Sequence, residues 1–152
     1  PLFDYGCDLS KLVFSVHRRG DHQDWHFDNN FLTLTLMLQL PESGGAFEVL
    51  PLLRLGGGPG DCENYDGVRA VLEADRCGTD DALLEQSSVL GVRRIEYGLG
   101  SLVIFKGRHS LHRATRVGGS RERIIGILSY SDDRCGSPPS EEHLANVYGL
   151  TT

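Results

Sequence analysis

Along most of this chain hydrophobic and polar positions recur with a period near two, the spacing of strands rather than helices. Leu12 to His17 mixes Leu, Phe and Val with smaller residues and predicts a strand, followed by a turn at Arg18-Arg19-Gly20-Asp21. Gln23 to Asp28 predicts a second strand, and Asn29-Asn30 a turn that admits left-handed backbone. The surest strand is Phe31 to Gln39, which alternates threonine with leucine and then becomes wholly apolar, as expected where both faces of a strand meet other layers. Ala46 to Leu50 is a short strand. Strand signals return in Val89 to Tyr97, Ser101 to Lys106, Leu111 to Val117 and Arg123 to Tyr130, separated by glycine-rich turns. Val68, Val71 and Leu72 fall at helical spacing and predict a helix over Asn64 to Asp75, with Asp61 or Asn64 as its cap. Glu141 to Tyr148 predicts a short helix capped by Ser140, while Ala82 to Ser88 fits helix and strand equally. These elements predict one mainly β domain with a few peripheral helices.

Composition narrows the function classes. The net charge is −6 (15 basic against 21 acidic residues), with no basic block, so nothing points to electrostatic capture of nucleic acid. No apolar run approaches the ~18 residues of a membrane span, and no signal or transit peptide is evident. Cys7, Cys62, Cys77 and Cys135 are spread out with no Cys-x-x-Cys pair, which fits reduced thiols in a cytoplasmic protein better than a zinc knuckle. The run Gly-Gly-Gly-Pro-Gly ending at Gly60 lacks the Lys-Ser or Lys-Thr of a phosphate cradle and reads as a connection.

The chemistry concentrates between His22 and Gly45. Residues two apart in a strand point the same way, so His26 and Asp28 present an imidazole and a carboxylate to one ion. A non-haem iron(II) centre needs two histidines and one carboxylate on one face, with positions left open. His112, in the stretch Gly100 to Arg123, is the candidate third ligand. His22 and Asp24 form a second His-x-Asp pair on the same face by periodicity, and His109 competes with His112; these are read as a solvated strand-edge pair and a loop histidine. His17 and His143 have no partner spacing and are expected at the surface, whereas Trp25 and Phe27, alternating with the ligands, are expected in the core.

His26-Phe27-Asp28, the Gly44-Gly45 turn, His112, and an arginine opening a strand about ten residues later together resemble the iron(II)/2-oxoglutarate-dependent dioxygenases. The resemblance runs from about Val13 to Tyr130. It implies a double-stranded β-helix, or jelly roll, with metal ligands His26, Asp28 and His112, and a chain, 1–152, forming one domain that is short for the family and lacks an N-terminal segment. Iron(II) and 2-oxoglutarate are the implied cofactor and co-substrate. Arg123 is the implied grip on the distal carboxylate of 2-oxoglutarate, since a planar guanidinium binds carboxylates in a two-pronged way; Arg121 is its rival. Where the family often has a small hydroxyl residue two positions on, this chain has Ile125, so Thr33 or Thr35 is expected to supply the second contact.

The implied reaction oxidises, usually hydroxylates, an unactivated C–H bond, with release of succinate and carbon dioxide. Substrate and oxygen are the expected partners, the substrate being a small, amino-acid-derived molecule. Asp28 argues against the related halogenases, which lack this carboxylate. Arg93, Arg94 and Arg116 are read as a charged strand face in water rather than substrate contacts. Two alternatives stand beside this reading: a cupin-like metal protein without 2-oxoglutarate chemistry, and a jelly-roll binding module without catalysis. The oligomeric state is not legible.

Overall fold

The computed structural model of the chain describes residues 1–4, 11–54, 63–77 and 91–132. Within them are eleven strands and one helix: β1 (Phe3–Asp4), β2 (Leu12–His17), β3 (Gln23–His26), β4 (Leu32–Gln39), β5 (Ser43–Gly44), β6 (Phe47–Leu50), the helix Tyr65–Cys77, β7 (Arg93–Ile95), β8 (Leu102–Phe105), β9 (Leu111–Ala114), β10 (Val117–Gly118) and β11 (Arg123–Ser131). The eight predicted strands and the helix predicted over Asn64 to Asp75 occur in the expected order, β1 and β5 are additional two-residue strands, and the strand expected over Leu111 to Val117 is divided into β9 and β10. The four cysteine side chains, the segment 82–88 and the predicted C-terminal helix lie outside the described residues.

All pairings are antiparallel. One sheet places β11 between β4 and the edge shared by β1 and β2, with β8 beyond β4; the other runs β3-β9-β6-β7. A two-residue ribbon joins β5 to β10. The two sheets face each other, as Phe47 on β6 meets Phe105 on β8 at 5.2 Å between ring centres, and Phe105 meets His112 on β9 at 4.8 Å. This is the expected mainly β jelly roll.

The two outer faces differ. On the β3-β9-β6-β7 sheet, Leu50 and Leu111 pack with Val71 of the helix, and Trp25, Phe27 and Val68 flank them. Beneath the helix lies a charge lattice: Glu48 takes hydrogen bonds from Arg94 and Arg113, and Arg113 reaches Asp75 on the helix at 2.6 Å. The Asn64 side chain accepts from the backbone N–H of Gly67, the cap expected for this helix. On the other sheet, Leu12, Phe14, Val16, Leu38, Leu102 and Ile104 all remain exposed. Among the described residues no helix is long and apolar enough to cross a membrane.

Candidate metal centre

Between the sheets is a cavity of about 490 Å³ lined from β3, β4, β6, β8, β9 and β11. Strand alternation decides which side chains enter it. On β9, Leu111 and Arg113 face the helix while His112 and Ala114 face inward; on β11, Arg123, Ile125 and Ile127 face inward. On β4 the inward set is Thr33 and Thr35, so the hydroxyls line the interior and the leucines turn outward.

His26, Asp28 and His112 converge there, each offering one ligand atom, all within 4.8 Å of one another. Asp28 Oδ1 is 3.6 Å from His26 Nε2 and 3.4 Å from His112 Nε2. Ligands bound at about 2.0–2.2 Å and at right angles lie about 3 Å apart, so a small shift closes these donors around one ion. The strand pairing explains the meeting: β3 and β9 place His26 directly opposite His112, with a bulge between Gln23 and His26. That bulge breaks the simple periodicity, and His22 Nε2 lies 3.3 Å from Asp24 Oδ1 at the solvated strand edge, as expected of the pair.

Both imidazoles anchor Nδ1 on the backbone and turn Nε2 toward Asp28. His26 Nδ1 lies 2.7 Å from the carbonyl of Asp24, and His112 Nδ1 lies 2.9 Å from that of Ser110. A carbonyl only accepts, so each Nδ1 carries a proton, which leaves Nε2 as the atom each ring can offer to a metal. Burial, then the neighbouring His112, hold the His26 pKa below the ordinary imidazole value, which favours the neutral ligand form. For Asp28 burial acts upward, but hydrogen bonding and charge from His112, with Thr33 and His26, outweigh it, so the carboxyl stays ionised below its usual range.

Arg123 is 1% exposed, and its Nε and Nη1 are buried without a hydrogen-bond partner. No carboxylate among the described residues pairs with it; the Tyr97 ring lies 5.9 Å from its guanidinium carbon. The Tyr97 hydroxyl shares a 2.5 Å hydrogen bond with Thr35, and burial raises its pKa, keeping the phenol protonated. Gly44 and Gly45 both have positive φ (65° and 64°), and a Cβ on Gly45 would come within 2.8 Å of Arg123 Cδ. Arg121 instead is exposed, its Nε donating to the carbonyl of Leu40. Thr33 turns its hydroxyl to Asp28 Oδ2 at 2.5 Å. Arg94 departs from the solvated strand face expected of it, donating to the buried Glu48, while Arg116 donates to the Gly20 carbonyl, and neither lines the cavity.

His17 departs from expectation. It is not a surface residue: it lies opposite Arg123 in the β2–β11 pairing, bonds Ser15 through Nε2 at 3.2 Å, and buries Nδ1. The period of β2 puts Val13, Ser15 and His17 on its inner face, a signal that the absence of a partner spacing hid. Tyr97 was legible only as the last residue of a predicted strand, and Asn30 only as a turn residue. His109, as expected of a loop histidine, packs edge-on against Phe31.

No family model matches the sequence, and comparison with curated proteins finds no match. Comparison with solved structures does. AviO1 of Streptomyces viridochromogenes superposes with a TM-score of 0.50 and 19% identity over 85% of this chain and 51% of that one. A prolyl-4-hydroxylase of Pseudomonas putida gives a TM-score of 0.43 and 14% identity over 78% of this chain and 51% of that one. The likeness to AviO1 supports the mainly β jelly-roll fold of the chain. The chain spans about half the length of these two structures.

Proposed function

We propose that this chain forms the metal- and co-substrate-holding core of an iron(II)- and 2-oxoglutarate-dependent oxygenase. Its reaction would oxidise, most often hydroxylate, an unactivated C–H bond of a small, amino-acid-derived substrate, using oxygen and releasing succinate and carbon dioxide. The observation that carries this reading is a combination in one cavity: a His–Asp–His donor set, and a buried guanidinium with two unpaired nitrogens and no carboxylate partner among the described residues. A buried arginine left in that state is costly unless an anion completes it.

His26, Asp28 and His112 would hold iron(II) through two neutral imidazoles and one carboxylate, leaving the remaining positions free. Iron(II) bound with 2-oxoglutarate supplies the activation of oxygen that no amino-acid side chain provides. The protein's own part is binding and orientation. Arg123 grips the distal carboxylate of 2-oxoglutarate, with Tyr97 and Thr35 as neutral hydroxyl donors beside it. Phe47, Phe105 and Ile125 line the cavity with apolar surface, which limits water around the reacting groups. Asn29, Gln23 and Ser129 offer the substrate uncharged polar contacts, which suits a small polar molecule better than a polyanion.

The test is anaerobic addition of iron(II) and 2-oxoglutarate, monitored for the visible charge-transfer band of the chelate. The band is expected in wild type and His22→Ala, lost in His26→Ala and weakened in Arg123→Ala. Folded, iron-loaded wild type without a band would refute the reading and favour a metal-only cupin-like protein; failure to bind iron at all would favour a non-catalytic module.

A further inference from the structure

The two oxygens of Asp28 have different surroundings. Oδ1 faces the imidazoles, at 3.4 and 3.6 Å from their Nε2 atoms. Oδ2 faces away, 2.5 Å from the hydroxyl of Thr33. That hydroxyl has one proton and is itself the acceptor of a 2.7 Å hydrogen bond from Asn30 Nδ2, which also donates to the Leu32 carbonyl at 2.8 Å. Since Asn30 Nδ2 can only donate, the Thr33 proton goes to Asp28, and the chain Asn30 to Thr33 to Asp28 runs in one direction. Asn30 and Thr33 are both buried, so water does not compete readily for these bonds.

The third side of the carboxylate is backbone. Asp28 N–H donates to the Gly107 carbonyl at 3.1 Å. A Cβ on Gly107 would overlap both Asp28 Oδ2 and Thr33 Oγ1. The loop after β8 therefore lies directly against this pair, with room for hydrogen only.

We propose that Thr33, its hydroxyl oriented by Asn30 and given room by Gly107, is a positioning residue that fixes Asp28 as a one-oxygen metal ligand through Oδ1. This rests on the metal-site reading above. Held in this way, Oδ2 does not swing round to occupy a further coordination position, and the carboxylate presents one oxygen at a set distance from the two imidazoles. Thr33 thereby acts on the metal and not on the co-substrate, leaving Thr35 as the threonine beside Arg123.

The experiment titrates Co(II) alone into the 152-residue chain, without 2-oxoglutarate, and follows affinity and the visible ligand-field spectrum. Thr33→Val keeps the shape and removes the donor; it is expected to weaken Co(II) binding by about 10–100-fold, the range for loss of a residue orienting a metal ligand, and to alter the spectrum. Thr33→Ser restores the hydroxyl and is expected to bind like wild type. Asn30→Ala leaves the threonine in place, unoriented, and is expected to lie between them, which keeps the test decisive where Thr33→Val folds poorly. Thr33→Val and Asn30→Ala binding within twofold of wild type with an unchanged spectrum would overturn the proposal while leaving the metal site intact. Wild type that takes up no Co(II) would overturn the metal-site reading and this proposal with it.

Discussion

Replacing Arg123 by methionine separates a ligand-binding arginine from a structural one, because the two roles predict opposite signs for stability. Nε and Nη1 are both buried and unpaired, and each unmet buried donor costs a fold about 1–3 kcal/mol. Two such groups amount to about 2–6 kcal/mol. Cavity water and the Tyr97 ring, at 5.9 Å and worth about 0.5–2 kcal/mol, return part of it. Methionine keeps an aliphatic stem to pack against Gly45 and carries no donor. The ligand-free variant is therefore expected to be more stable than wild type by about 1–3 kcal/mol. With a urea slope of about 1–3 kcal/mol per molar, the midpoint should rise by roughly 0.5–2 M. In the same variant 2-oxoglutarate affinity, measured anaerobically by calorimetry on the metal-loaded protein, should fall about 30-fold to several thousand-fold, the 2–5 kcal/mol expected for truncating one half of a buried charge pair. A variant that unfolds at lower urea than wild type, or that keeps wild-type affinity, refutes the assignment.

Three other outcomes follow from the same coordinates. Glu48→Ala strips the shared partner of Arg94 and Arg113 and is expected to cost about 2–4 kcal/mol in urea unfolding; a loss under ~1 kcal/mol would mean the lattice beneath the helix contributes little. His17 is held below the ordinary imidazole pKa by burial and by Arg123, with Asp21 acting against them and His22 with them. The unfolded chain then takes up the proton first as pH falls below about 6.5, so stability drops through that range; His17→Gln should flatten the slope between about pH 7 and 5, and identical slopes would exclude a contribution from His17. Phe14 and Ile104, 63% and 58% exposed, should make the chain associate with concentration in sedimentation experiments. Lysine at both positions should reduce association while changing stability by no more than ~0.5 kcal/mol per site.

What was legible in the sequence was whatever period two and adjacency encode. His26 and Asp28 are two apart, threonine alternates with leucine from Leu32 to Leu36, and the boundaries of β2 come out as predicted. The metal cluster needed one long-range step, from His26 to His112, which pattern alone could not supply and the β3–β9 register does. Arg121 and Arg123 share a face by periodicity; only the strand boundary separates them, leaving Arg121 in the turn and Arg123 as the first residue of β11. Tyr97 and Gly107 were illegible because their roles are distances to residues far along the chain, Thr35 for one and Asp28 for the other. His17 has no spaced partner, the mark of a solvated histidine, yet the period of its strand puts it on the inner face.

The polarity of β4 ties these points together. An ordinary two-layer β protein turns its apolar face inward and its polar face to water, yet here Thr33 and Thr35 line the interior while Leu32, Leu34 and Leu36, which alternate with them, face out. Burying hydroxyls is unfavourable unless each finds a partner, and each does: Thr33 on Asp28, Thr35 on Tyr97. The interior is thus polar and hydrogen-bonded along β4, at the expense of apolar packing. The opposite face carries the apolar surface instead, across β2, β4 and β8, with Leu12, Phe14, Val16, Leu38, Leu102 and Ile104 exposed. The other sheet carries apolar residues on its outer face too, and there the helix covers them. Alternation of threonine with leucine in a central strand therefore encodes two things at once, a polar cavity within and an apolar face outside that calls for a further layer.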